Sequence, residues 1–484
     1  MRYAERTPEN PRAGMSSLHP LSLQHNNTRE AVPTIMNDHY KKNFASSSSL
    51  AHRIVVVGGG AGGLELVTAL GNKLGHKVSV TLVDRSSTHI WKPLLHEVAA
   101  GSMDANTHQL EYAAQARWHH FAFQQGELRA LDRARKTITI SSLADHEGME
   151  LLPQREIAYD TLILAIGSVT NFFNVAGAEK HAIAVDTLTE AEHFRRRMIG
   201  MCMRAEHAIS TQADPVRPKI NIAIIGAGAT GVELSAELRN TAEVLGAYGV
   251  HDLDPLRDIR ITVIEAGARI LSGLPEPVSV KTTGLLEKLG IEVLTNSKVS
   301  EVQEHAVLLA DGRSIPADLT VWAAGIRAPA VLETLGLPVN RLGQIVVLQT
   351  LQTEIDPDIF AFGDCAACPW PEKNSSIPPR AQAAHQQASF LFDALKKRLD
   401  QQPLPQFEYR DLGSLVSLGR FDAVGNLMGP LIGSTLFIEG ILARLLYLSL
   451  YRMHLIALHG YVRTAADTLG HWLHRKTSPR VKLH

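Results

Sequence analysis

A chain of 484 residues is too long for one ordinary hydrophobic core, so two or three domains are expected. The formal net charge of −1 removes the electrostatic case for nucleic acid as a partner. Three cysteines, Cys202, Cys365 and Cys368, are too few for the disulfide framework of a secreted protein and suit a reducing compartment.

Residues 1–50 are polar, rich in Ser, Asn, Pro and His, and carry no apolar run of the signal-peptide kind, so a disordered leader is expected there. The run Arg53 to Val57 then reads as a buried strand. It is followed at once by Gly58, Gly60, Gly62 and Gly63, a helical stretch, a second strand Val78 to Val83, and Asp84. Glycines let the backbone approach a pyrophosphate, the helix N-terminus offers it N–H donors, and an acid ending the second strand accepts hydrogen bonds from ribose hydroxyls. The segment Leu162 to Gly167 ends this half, with Ala165 and Gly167 small enough for backbone to approach a cofactor closely.

The same order returns further along. The run Ile220 to Ile225 leads into Gly226, Gly228 and Gly231, a helix through Leu245, a strand Ile259 to Ile264, and Glu265. Leu319 to Gly325 repeats the closing strand. Gly226 follows Gly58 by 168 residues and Gly325 follows Gly167 by 158, so one unit is used twice and two dinucleotides are implied. Glu265 favours a free ribose 2′-hydroxyl and repels a 2′-phosphate, with Arg269 close enough to weaken that preference slightly.

A later strand, Ile359 to Phe362, runs into Gly363 and Asp364, and doubly wound flavoproteins often close their first domain with such a strand. Cys365 and Cys368 read as a structural pair, since two thiols fall short of a four-ligand zinc site and no metal is expected. Pro378 and Pro379 break the chain before a helix expected from Arg380 to Leu399, and Gln401 to Pro405 reads as a linker. From Leu427 to Val462 the residues are largely apolar, interrupted by Glu439, Arg444 and Arg452, with no uncharged run long enough to span a bilayer. Arg475, Lys476, Arg480 and Lys482 follow, a cationic end suited to anionic head groups, so attachment to one leaflet is expected, with a packing or dimerisation helix as the alternative. The fold expected is α/β, with two Rossmann-like dinucleotide-binding domains, the second inserted in the first, and a C-terminal helical membrane-attachment region. Its segments are 51–185 for the first domain, 186–335 for the second, 336–409 for the return, and 410–484 for the tail. Because both nucleotide units precede the tail, it is expected to be separable from cofactor binding.

Gly58 to Gly63 with Asp84, His89 to Glu97, Gly226 to Glu233, Phe362 to Cys365, Ala381 to Gln386 and Ser449 to His454 together resemble the bacterial type II NADH dehydrogenases, over about residues 52–484. The resemblance implies a non-pumping, FAD-containing NADH:quinone oxidoreductase, a homodimer lying on the bilayer surface at the cytoplasmic face of the inner membrane, with ubiquinone or menaquinone as acceptor. It implies FAD at Gly58, Gly60, Gly62, Gly63, Asp84, Lys92, Ala165, Gly167 and Asp364, and NADH at Gly226, Gly228, Gly231, Glu265 and Gly325. Lys92 is either a cation offsetting charge on the reduced flavin or a solvated surface lysine. Glu233, in the first turn of its helix, either complements the helix dipole or, as the resemblance implies, positions substrate or supplies protons. The family's quinone-site pattern, Ala-Gln-x-Ala-x-Gln, is matched by Ala381, Gln382, Ala384 and Gln386, and the two glutamines share one helix face from which their amides are implied to donate to the quinone. Glu233, His385 and solvent all stand as proton donors to it. A sulfide:quinone oxidoreductase would need widely spaced redox cysteines that these three do not supply. A flavin-bound signalling protein resembling apoptosis-inducing factor is disfavoured by the quinone pattern beside an apolar tail.

Overall fold

The computed structural model describes residues 51–211, 218–246, 252–419, 423–427 and 436–474. The leader and the cationic residues Arg475, Lys476, Arg480 and Lys482 lie outside the described residues.

Two five-stranded parallel sheets share one strand order. In the first, Ile359–Ala361 forms an edge, followed by Thr161–Leu164, His52–Val57, Val78–Asp84 and Ala122–Gln125. In the second the order is Ala182–Ala184, Leu319–Trp322, Ile220–Ile225, Ile259–Ile264 and Ile291–Leu294. Successive residues Ile54, Val55 and Val56, like Ile222, Ala223 and Ile224, are buried, because helices cover both faces of a parallel sheet and shield the middle of a central strand from water on each side. That is why these strands read as unbroken apolar runs rather than as alternating ones.

The edge strand of the first sheet comes from beyond the second sheet. Leu162 pairs with Ile359 and Leu164 with Ala361, so the chain leaves the first domain after Leu164, builds the second, and returns. The insertion expected from sequence is therefore present, and it brings Asp364 back beside the first crossing, where Ser168 Oγ donates to Asp364 Oδ2 at 2.9 Å.

The tail differs from its expected form. Gly413–Ser417, Ala423–Leu427 and Leu436–Glu439 make a three-stranded antiparallel sheet before the helix Gly440–His474 begins. By length and composition, the stretch Gly440–Gly470 is long and apolar enough to cross a membrane. Its packing shows a different arrangement: Ala443, His454, Leu455, Leu458 and Thr464 are buried against the protein, while Ile441, Leu442, Leu445, Leu448, Met453, Tyr461 and Val462 are exposed. A helix seated on its own body along one face, with these apolar side chains exposed beside Arg444, Arg463 and Asp467 on the other, lies on the surface and fits peripheral membrane attachment. Gly460, with φ 76°, breaks the helix into two arms. The tail also packs into both cores. Val416, Leu418 and Val424 belong to the core of the second sheet, and Leu458 to the core of the first.

Candidate active site

The duplication extends to atomic detail. Gly58 sits at φ 104° and Gly226 at φ 101°, a region that side chains disfavour. A Cβ on Gly58 would stand 2.3 Å from the Ala165 carbonyl oxygen, and one on Gly226 2.5 Å from that of Ala323, so each turn presses against the strand that closes its unit. At Gly60 and Gly228 a Cβ would meet nothing within 4 Å. These open positions immediately precede the helices Ala61–Leu74 and Ala229–Gly246 and line a common cleft. No side chain caps the first helix, so its leading N–H groups and the positive end of its dipole remain for an anion.

The two acids are also matched. Asp84 accepts hydrogen bonds from the Gly59 N–H at 2.7 Å and the Ser86 N–H at 2.8 Å. Glu265 accepts from the Ala227 N–H at 2.9 Å and the Gly267 N–H at 2.7 Å. Each acid thus ties its glycine turn to its second strand. Burial raises the Asp84 pKa above the ordinary carboxylate value, partly offset by those N–H groups.

The cleft has a volume of about 2750 Å³. That is several times a drug-sized pocket, room for two dinucleotides and a further ring. Gly58, Gly60, Gly62, Gly63, Asp84, Lys92, Ala165, Gly167 and Asp364 line it from the first domain, Gly228 and Glu233 from the second, and Gln382 and Gln386 from the helix Ala381–Leu399. Gly226, Gly231, Glu265 and Gly325 do not line it. Gly231 instead packs under its own turn, where a Cβ would stand 2.0 Å from the Gly226 carbonyl oxygen, and the Gly325 carbonyl accepts from the Asn171 N–H at 2.9 Å. The glycine turn, the uncapped helix end, the acid and the returning Asp364 fit FAD in the first domain.

Lys92 is held in place. Its Nζ donates to Asp186 Oδ1 at 2.7 Å and to the Ser168 carbonyl at 3.1 Å, which sets a cation at the wall of the cleft beside Asp364. The two glutamines separate in role. Gln382 accepts from the Tyr409 hydroxyl at 2.8 Å, and its NH₂ has no partner among the described residues. Gln386 donates to the Arg410 carbonyl at 2.8 Å and accepts from the Arg410 N–H at 3.0 Å, so its amide is engaged by backbone.

Glu233 is buried and accepts from the Ser417 N–H at 3.0 Å, a contact supplied by the C-terminal sheet. Burial raises its pKa to about 8 and lowers that of His96 to about 4, so near neutral pH both are uncharged and their 3.8 Å approach is not an ion pair. Tyr447 of the tail helix faces the same carboxyl.

Sequence reasoning missed Glu65, which stands 168 residues before Glu233, at the same place in the first repeat. It is buried and meets His385 and His454. The offset that pairs the glycine turns pairs these two acids as well, and is the signal that finds Glu65.

A family model described as pyridine nucleotide-disulphide oxidoreductase matches residues 52–388. A type II NADH:quinone oxidoreductase of Haemophilus influenzae is 42% identical over 443 residues, covering 89% of this chain and 99% of that protein. One from Staphylococcus aureus is 29% identical over 388 residues, covering 79% of this chain and 91% of its own. The structure of NDH2 from Plasmodium falciparum in complex with NADH superposes with a TM-score of 0.72 at 20% identity, covering 86% of this chain and 97% of that one, a likeness of fold. The duplicated units and these relatives together place the chain in the pyridine nucleotide-disulphide oxidoreductase family and, within it, among the type II NADH:quinone oxidoreductases.

Proposed function

We propose that the chain takes hydride from NADH and reduces a membrane quinone, ubiquinone or menaquinone, without translocating protons, as a homodimer at the cytoplasmic face of the bacterial inner membrane. One observation carries the reading: a single cleft is lined by both glycine turns, by Gln382 and by the tail helix whose outer face is apolar. Bound FAD supplies two-electron redox chemistry between the nicotinamide and the quinone.

The chain's own residues do the rest. The first glycine turn, Asp84 and Asp364 hold FAD, with Lys92 as a fixed cation beside it. In the second domain Gly226, Gly228 and Gly231 shape the NADH turn, Glu265 selects the free ribose hydroxyl, and Gly325 lets backbone pass close to the nicotinamide end. Glu233, protonated near neutral pH, presents a neutral hydrogen-bonding group where the two domains meet. Gln382 offers its unpaired NH₂ to a quinone carbonyl, and Gln386 holds the strand around Arg410 against the helix so that Tyr409 can orient Gln382.

The test is NADH-dependent quinone reduction in inverted membrane vesicles carrying the enzyme as the sole NADH dehydrogenase, with terminal oxidases inhibited and a pH-gradient dye present. The reading expects quinone reduction with no dye response. A gradient generated by this step, or no quinone reduction, overturns it.

A further inference from the structure

A buried chain of hydrogen bonds joins the tail helix to the helix that carries Gln382. His454 Nδ1 lies 2.7 Å from Glu65 Oε1, and His385 Nδ1 lies 2.5 Å from Glu65 Oε2. On the far side His454 Nε2 lies 3.0 Å from His89 Nε2, and His89 Nδ1 lies 2.9 Å from the Gly59 carbonyl oxygen. The titratable groups facing Glu65 are thus His385 from the helix Ala381–Leu399 and His454 from the tail, with His89, Tyr112 and Asp84 behind them.

Donor and acceptor rules fix where the protons sit. A carbonyl oxygen can only accept, so His89 carries hydrogen on Nδ1. Burial keeps His89 neutral, with a pKa near 3, which leaves its Nε2 bare and forces His454 to donate from Nε2. His454 Nδ1 stands against Glu65 Oε1, and Glu65 Oε2 accepts from His385 Nδ1–H. His385 is left with Nε2 free. Its side chain is 44% exposed, against 6% for Glu65, and it lines the cleft three residues after Gln382 on the same helix face.

We propose that His385 is the acid that protonates the bound quinone, that Glu65 is its positioning partner, and that His454 makes this arrangement depend on seating of the tail helix. The inference rests on the quinone reading above. In the net reaction NADH, a proton and quinone give NAD⁺ and quinol. The hydride accounts for both electrons and one proton, and the second proton leaves His385 Nε2 as the new O–H bond forms. His385 is left as neutral imidazole with Nδ1–H still bonded to Glu65, and water reprotonates Nε2 after the quinol departs. Pairing with Glu65 outweighs burial and keeps the His385 pKa above its ordinary value, which favours the loaded form near neutral pH.

The experiment follows flavin reoxidation by ubiquinone-1 and by menadione in stopped flow, from about pH 5 to pH 9, using NADH-reduced holoenzyme. His385→Ala should slow reoxidation by at least about tenfold, the lower range for loss of a general acid, and added imidazole should restore much of it. Glu65→Gln should move the alkaline limb down by roughly one pH unit, as expected for an imidazolium that loses its carboxylate. Because Glu65 is buried, its variant is read only if it retains flavin, and His385→Ala decides the matter alone if it does not. Wild-type rates in His385→Ala across the range, or a loss that imidazole leaves untouched, overturn the proposal. A wild type that neither quinone reoxidises would instead overturn the quinone reading beneath it.

Discussion

Glu65 and Glu233 occupy equivalent places in the two repeats, yet their surroundings drive them apart. Burial pushes both carboxyls up, and at Glu65 two histidines outweigh it and hold the pKa below the ordinary value. At Glu233 the Ser417 N–H and the Tyr447 side chain do not outweigh it, and the pKa rises to about 8. Between the ordinary carboxyl value of 4.5 and about 8 the folded chain therefore holds a proton at Glu233 that the unfolded chain releases. Stability from this group is fully present below the lower value and is lost as pH rises through the upper one. Glu233→Gln should be matched to wild type near pH 5 and gain on it steadily towards pH 8, by on the order of a few kcal/mol, read as diverging melting temperatures. Parallel melting curves across that window would show that Glu233 is not a buried neutral acid. At Glu265 the expectation concerns substrate choice: Glu265→Gln removes the like charge facing a 2′-phosphate and should cut the ratio of kcat/KM for NADH over NADPH roughly tenfold. An unchanged ratio would remove Glu265 from the specificity argument. The glycine turns and the acids tied to them were legible because tight turns demand particular residue types at fixed spacing. The engagement of Gln386 by Arg410 was not, since it joins residues 24 apart across a linker that has no pattern.

The tail is the element that sequence described least well. Periodicity cannot separate a short apolar strand from a piece of buried helix, so Ala423–Leu427 and Leu436–Glu439 merged with the helix that follows. What the helix does was also hidden, because Tyr447 and His454 act on residues more than two hundred positions away. These two lie seven residues apart, hence on one helix face, and they address the equivalent acids of both repeats. Deletion from Leu436 onward should abolish sedimentation with lipid vesicles and also slow reoxidation by ubiquinone-1, a quinone soluble enough to need no membrane. A tail serving as an anchor alone would leave the ubiquinone-1 rate of the flavin-replete deletion at the wild-type value.

Across the whole molecule, one folding unit appears twice with the same strand order and the same turn-to-acid hydrogen bonds, and the insertion of one copy into the other turns both glycine turns onto one cleft. The repeat itself was plain in sequence, since parallel strands buried on both faces and glycine turns leave strong local patterns. Convergence of the cleft, the helix of Gln382 and the tail was not, because it depends on the crossing from Leu164 to Ile359 and on contacts of long sequence separation. If these parts form one path from NADH to quinone, an anaerobic titration reads both ends of it. Purified holoenzyme is titrated with NADH while the flavin absorbance is followed, and then with ubiquinone-1 or menadione. One equivalent of NADH should bleach the flavin fully, NADPH should do so far more slowly, and one equivalent of quinone should restore the absorbance. A flavin that NADH reduces but neither quinone reoxidises would contradict the single path.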